Sequence, residues 1–154
     1  MNVPKLLSLL FLTTAMVVRL PAAGEPRLNV VITGNDSMRF SVTHIDAQPG
    51  QVIHVEFRND GTLPKEAMGH NWILLKSSGE AGVAAYTAAA MSAQNEGYEP
   101  KSRAGDVLAS VPLLGPKQSA EVTFNAPTVP GLYLYFCSFP GHYQAGMKGE
   151  LIVK

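Results

Sequence analysis

Apolar and polar residues alternate with period two along most of this chain, and each alternating run is cut short by glycine or proline. That pattern confines the chain to short, half-buried strands joined by turns. In QVIHVEFRN, residues 51–59, Ile53, Val55 and Phe57 share one face while His54 and Glu56 share the other. LNVVITG reads as a preceding strand, and MRFSVTHIDAQ as another that sets Phe40, Val42 and next His44 against polar neighbours. HNWILLK reads as a strand again, and DVLASVPLL, the alternating SAEVTFNA, the aromatic LYLYFC and GELIVK follow as strands, with turns at Pro49–Gly50 and in PTVPG.

One segment breaks the rhythm. GEAGVAAYTAAAMSAQNEGYEP is rich in alanine and favours helix, with Gly97 and Pro100 as its stop signals. Short strands with a single helical insertion predict an all-β fold, a Greek-key β-sandwich of seven to eight strands. The chain of 154 residues is long enough for one such domain with a proper core and too short for two.

The first residues stand apart. MNVPK carries one lysine, LLSLLFLTTAMVV is an uncharged apolar run and RLPAAG supplies small residues, the anatomy of a secretory signal. The apolar run of thirteen residues is shorter than the about 20 of an ordinary membrane span. We therefore read residues 1–24 as a signal peptide and residues 25–154 as a single domain outside the cytoplasm, in the periplasm; an uncleaved membrane anchor is the alternative. Twelve basic residues balance twelve acidic ones, which excludes a polybasic clamp for nucleic acid or membrane.

An exported chain normally pairs its cysteines or avoids them, yet this one keeps a single cysteine, Cys137, inside CSFPGHYQAGMKG. His142 and Met147 follow it in the same loop, so thiolate, imidazole and thioether can wrap one metal ion. One further histidine completes a trigonal His₂Cys set with a weak axial thioether, the arrangement of blue-copper electron-transfer sites. His70, in MGHNW at the start of a strand, is the candidate. Metal ligation is what makes a lone thiol tolerable in that compartment. Taken singly, Cys137 and Met147 would pass for core filler; together in one strand-flanked loop they point to copper. His44 and His54 lie on strand faces far from the loop and read as surface histidines.

NDSMRF, LPKEAMGH, MGHNW, VTF and CSFPGHYQAGMKG resemble the cupredoxins of the azurin and auracyanin kind, over nearly all of the chain from Leu28 to Lys154. The resemblance implies one type 1 copper per chain, with His70, Cys137 and His142 as strong ligands and Met147 as the long axial one. It further implies that the Gly69 carbonyl is a weak axial donor from the opposite side, and that Asn71 and Phe139 aim backbone N–H groups at the Cys137 sulfur. Trp72 would be a core residue beneath the site. Three departures are visible: four residues separate His142 from Met147, which is similar to auracyanin, Asn59 and Asp60 stand where azurins carry a histidine, and a disulfide is missing. The far-end disulfide of azurins cannot form, because Cys137 is alone.

The expected function is that of an electron carrier rather than an enzyme, passing single electrons between redox proteins such as c-type cytochromes. Docking is expected near His142, itself at the surface, on an apolar patch of Met38, Leu63, Pro64, Met68, Pro140 and Ala145. Copper storage or delivery is the alternative; it predicts exposed Met- and His-rich tracts. A two-copper enzyme would need more than the four histidines present, and a metal-free adhesion sandwich leaves Cys137 unexplained.

Overall fold

The strand Val52–Asn59 shows the alternation in its clearest form: Ile53, Val55 and Phe57 are inaccessible to solvent, while His54, Glu56 and Arg58 face outward. The computed structural model describes residues 26–77 and 79–154, so the signal proposed for residues 1–24 lies outside the described residues. The strands, in chain order, are β1 (Leu28–Gly34), β2 (His44–Ala47), β3 (Val52–Asn59), β4 (His70–Leu75), β5 (Val107–Leu114), β6 (Ser119–Asn125), β7 (Gly131–Phe136) and β8 (Lys148–Val153). All eight segments read as strands in the sequence therefore contain one.

Two sheets face each other. One has the order β1-β3-β6, the other β2-β8-β7-β4-β5. The pairs β1/β3 and β2/β8 are parallel, and the other pairs are antiparallel. Parallel neighbours cannot be joined by a hairpin, so the chain crosses between the sheets, as a Greek-key sandwich requires. The core between them holds Ile32, Phe57, Trp72, Leu74, Tyr135 and Leu151, all 1 % exposed or less. Burying each such side chain contributes about 1.5–3 kcal/mol.

β4 is buried at every residue, which explains why Trp72–Leu75 is a continuous apolar run and not an alternating one. Trp72 and Leu74 enter the main core, whereas Ile73 and Leu75 face the other way. There they meet the helix α2 (Glu80–Ala90), whose Val83 and Tyr86 form a second small cluster with Leu134 and Phe136. Two further helical turns, α1 (Lys65–Met68) and α3 (His142–Ala145), lie inside segments that read as loops in the sequence.

Two expectations need correction. β2 starts only at His44, with Ile45 and Ala47 buried and His44 exposed. Phe40 is buried through a separate bridge to Gly34, so the alternation shifts by one residue between Phe40 and Ile45. The helical insertion ends at Ala90, well before Gly97 and Pro100. Its last N–H groups tighten to Ser92→Ala89 and Ala93→Ala90 bonds, and the rest of the insertion is two 3₁₀ turns, Gln94–Glu96 and Lys101–Asp106. Among the described residues, no helix is long and apolar enough to cross a membrane.

Candidate metal centre

β7 and β4 are antiparallel neighbours with Ile73 opposite Phe136. That register carries the start of β4 to the level of the residues that follow β7, so His70 and Cys137 share one end of the sandwich. The loop from Cys137 to Met147 then leads straight into β8, the other neighbour of β7. Its glycines have a reason: Gly141 (φ 83°) and Gly146 (φ 99°) are left-handed residues that open and close α3, conformations that cost a residue with a Cβ. The helical turn between them swings His142 back over the strand ends.

His70 Nδ1, Cys137 Sγ and one ring nitrogen of His142 lie within 4.8 Å of one another, and all three residues are buried. The two Nδ1 atoms are 3.1 Å apart, and Cys137 Sγ is 3.4 Å from His142 Nδ1. Met147 is inaccessible; its N–H donates to the His142 carbonyl (2.9 Å) and its carbonyl accepts from the Cys137 N–H (3.1 Å). The Met147 main chain is thus tied to both Cys137 and His142. Gly69 precedes His70 in a buried position, and its N–H donates to the carbonyl of Lys65, the first residue of α1, closing that turn.

The electrostatics fit a soft cation. Burial pushes the Cys137 thiol up to about 12, against the opposing pull of backbone N–H groups from Asn71 and Phe139. Burial also lowers His142 to about 4, helped by the neighbouring His70. His70 is lowered by burial, with the Asn35 carbonyl and the Asp36 carboxylate acting the other way. Two neutral imidazoles and a thiol therefore converge on one point with water excluded. Thiolate and imidazole suit copper, iron or zinc, and a buried thioether beside them favours copper.

A web of hydrogen bonds holds the loops. Asn71 Oδ1 accepts from the Ser138 N–H (2.8 Å), and Asn71 Nδ2 donates to Ser138 Oγ (2.7 Å). Ser138 Oγ donates in turn to the Tyr98 carbonyl (2.7 Å), so the helical insertion, β4 and the ligand loop are stitched together. Phe139 lies tilted over the His142 ring at 4.6 Å between centroids and meets the Tyr98 ring edge-on at 4.9 Å. Such supports fix donors in place and tune a bound metal.

The expected residues His70, Cys137, His142 and Met147 come together, and Asn71 and Phe139 present their N–H groups to the sulfur as expected. Trp72 is fully buried. His142, expected at the surface, is only 2 % exposed, because α3 and Phe139 fold over it. His44 is exposed, but His54 is half-buried on the outer face of β3, its ring between Thr123 and Glu121. Sequence reasoning missed Ser138, Tyr98 and Asp36. Asp36 accepts from both the N–H and the hydroxyl of Thr62, fastening the loop after β3. Asn59 plays a similar part: its amide donates to the Leu114 carbonyl and accepts from the Gly61 N–H. The residue types alone gave no signal for these, since Asn, Asp and Ser in loops are ordinary.

A sandwich that closes a thiol, two imidazoles and a thioether into one dry end defines a class of single-metal β proteins. The sequence profile of copper-binding proteins of the plastocyanin/azurin family matches residues 27–154. Auracyanin-B of Chloroflexus aurantiacus is 36 % identical over 118 residues, covering 77 % of this chain and 48 % of that protein, so the chain spans about half of that relative's length. Azurin of Pseudomonas denitrificans is 36 % identical over 129 residues, 82 % of this chain and 98 % of that one. The solved structure of auracyanin A, described as a "blue" copper protein from Chloroflexus aurantiacus, superposes with a TM-score of 0.73 at 34 % identity, covering 84 % of this chain and all of the other. The chain belongs to the plastocyanin/azurin family of blue copper proteins, which bind one copper and transfer electrons by means of it.

Proposed function

We propose that His70 Nδ1, Cys137 Sγ and His142 Nδ1 hold the copper in a trigonal set, with the Met147 thioether as the long axial donor and the Gly69 carbonyl as a weak one opposite. The protein then passes single electrons between redox proteins outside the cytoplasm, c-type cytochromes among them, after residues 1–24 have served as its export signal. The observation that carries the reading is the buried convergence of two Nδ1 atoms and one sulfur.

Copper, when bound, supplies a reversible one-electron change. The chain supplies rigidity: the donors come from strand ends and a capped turn, and the Asn71–Ser138 clamp resists their movement on either side of the change. A geometry that does not relax keeps the barrier to electron transfer low. Burial keeps water away from the sulfur.

Electrons would leave by way of the His142 ring, whose exposure is 2 %. The patch proposed to ring that end is Met38, Met68, Pro140 and Ala145, which are half-buried, with Leu63 and Pro64, which are exposed. Met38 is held at φ 55° in a turn closed by its N–H to the Asn35 carbonyl, a conformation uncommon for a residue with a side chain. An apolar patch of this kind suits brief redox encounters, which use small interfaces.

Storage or delivery would call for exchangeable donors, and these are 0–2 % exposed. The two readings separate under a competing Cu(I) chelator. An electron carrier keeps its copper through repeated reduction by a reduced c-type cytochrome and reoxidation. Loss of the copper to the chelator within one cycle would favour delivery and sink the carrier reading.

A further inference from the structure

Gly34 ends β1 inside the core, and its φ lies outside the left-handed region that demands glycine. Space demands it instead. A Cβ on Gly34 would lie 2.6 Å from Cε of Met147 and 3.2 Å from Cζ of Phe57, whereas carbon atoms in contact sit about 3.5–4.0 Å apart. The Gly34 main chain cannot retreat: it pairs with Asn59 in β3, bridges to Phe40, and accepts the Asp60 N–H at 2.8 Å. The Met147 main chain is held just as firmly, between His142 and Cys137. What remains movable is the thioether arm, which has several rotatable bonds and no branch to lock them.

We propose that Gly34 is the positioning residue for the Met147 sulfur, a role that rests on the axial reading of Met147 given above. The thioether methyl seats against the bare Cα of Gly34, and the sulfur one bond away is thereby set at its distance from the three strong donors. The weakest bond of the set is the one most easily altered by packing, so β1, which contributes no ligand, controls it. A Cβ at position 34 forces the arm to swing and takes the sulfur off its line.

Four proteins test this: wild type, Gly34→Ala, Met147→Ala and the double variant. Each is compared by reduction potential, by the visible and EPR spectra of its Cu(II) form, and by melting of the metal-free protein. Alanine in a strand is ordinarily no worse than glycine, so a lower melting temperature for metal-free Gly34→Ala reports the clash. We expect that loss, together with a potential shifted in the same direction as in Met147→Ala; when Gly34→Ala is added to Met147→Ala the loss should shrink to what the Phe57 contact leaves, and the potential should not shift further. If Gly34→Ala does not fold alone, its recovery in the double variant supports the contact, and failure of both overturns it. Unchanged potential and spectra in Gly34→Ala, or equal shifts in both backgrounds, overturn the proposal. An unchanged potential in Met147→Ala alone would instead refute the axial reading, and the melting comparison would still decide whether Gly34 holds the arm.

Discussion

The Nδ1 atoms of His70 and His142 face each other at 3.1 Å in a buried pocket that also holds the Cys137 thiol. Neither ring is charged at neutral pH, since both are lowered by burial and His142 reaches about 4, while the thiol, at about 12, keeps its proton. Metal binding must displace whatever protons the donors carry. Cu(II) binding at pH 7 is therefore predicted to release one proton per chain, from Cys137. Calorimetric titration in buffers of different ionisation enthalpy measures that number directly. Release of two or three protons would show that the rings are protonated in the apoprotein.

The same shift makes the metal-free protein acid-labile. His142 binds a proton with a pKa near 6.5 when unfolded and near 4 when folded, so the unfolded chain takes up more protons as pH falls below 6.5. Stability is thus fully present above that value and is lost on acidification towards 4. Between pH 7 and 5.5 the loss from His142 is predicted at about 1 kcal/mol. Urea unfolding of the apoprotein at the two pH values gives the difference, and His142→Asn should remove the His142 part of it, leaving that of His70.

Much of this centre was legible before any coordinates. Most of the strands follow from alternation because they have one face in the core, while β4, buried on both faces, shows instead as an apolar run, and the ligand loop stands out because thiol, imidazole and thioether have no other reason to gather in one loop. The parts that were hidden depend on contacts distant in sequence. His44 continues the alternation of Phe40 and Val42 on paper, but the bridge between Gly34 and Phe40 ends one run and β8 starts another. Gly34 looks like any turn glycine; only the Met147 methyl lying against it shows what its missing Cβ does. Asn59, where azurins carry a histidine, turns out to be a buried brace that cannot titrate.

Asn71 is the hinge pin of the site. Replacing it with alanine removes both bonds to Ser138 and leaves the Ser138 N–H buried without a partner. The cost should be about 1–3 kcal/mol of stability, in apoprotein and holoprotein alike. Denaturant unfolding of Asn71→Ala would show it, and a loss below about 0.5 kcal/mol would mean that the clamp is dispensable.

Axial tuning should follow donor strength. Met147→Leu removes a weak donor to Cu(II) and should raise the reduction potential, whereas Met147→Gln supplies a harder oxygen and should lower it. Voltammetry on the two variants decides the point. Potentials equal to wild type in both would remove Met147 from the ligand set.

Met68 sits half-buried two residues before His70, at the end where electrons are proposed to leave. Met68→Glu should leave the visible spectrum nearly unchanged and slow self-exchange between oxidised and reduced protein by about tenfold or more, as like charges meet in the contact. Equal exchange rates at low salt would point to another face.

The most direct measurement is an absorption titration of the metal-free protein with Cu(II), on wild type and Cys137→Ser. An intense visible band, from charge transfer between the Cys137 thiolate and Cu(II), should grow to saturation at one equivalent. Cys137→Ser should stay folded and colourless, because the strands and not the thiol build the core. A wild type that remains colourless, or a band that keeps growing to two equivalents, would contradict the assignment of a single copper held by His70, Cys137 and His142.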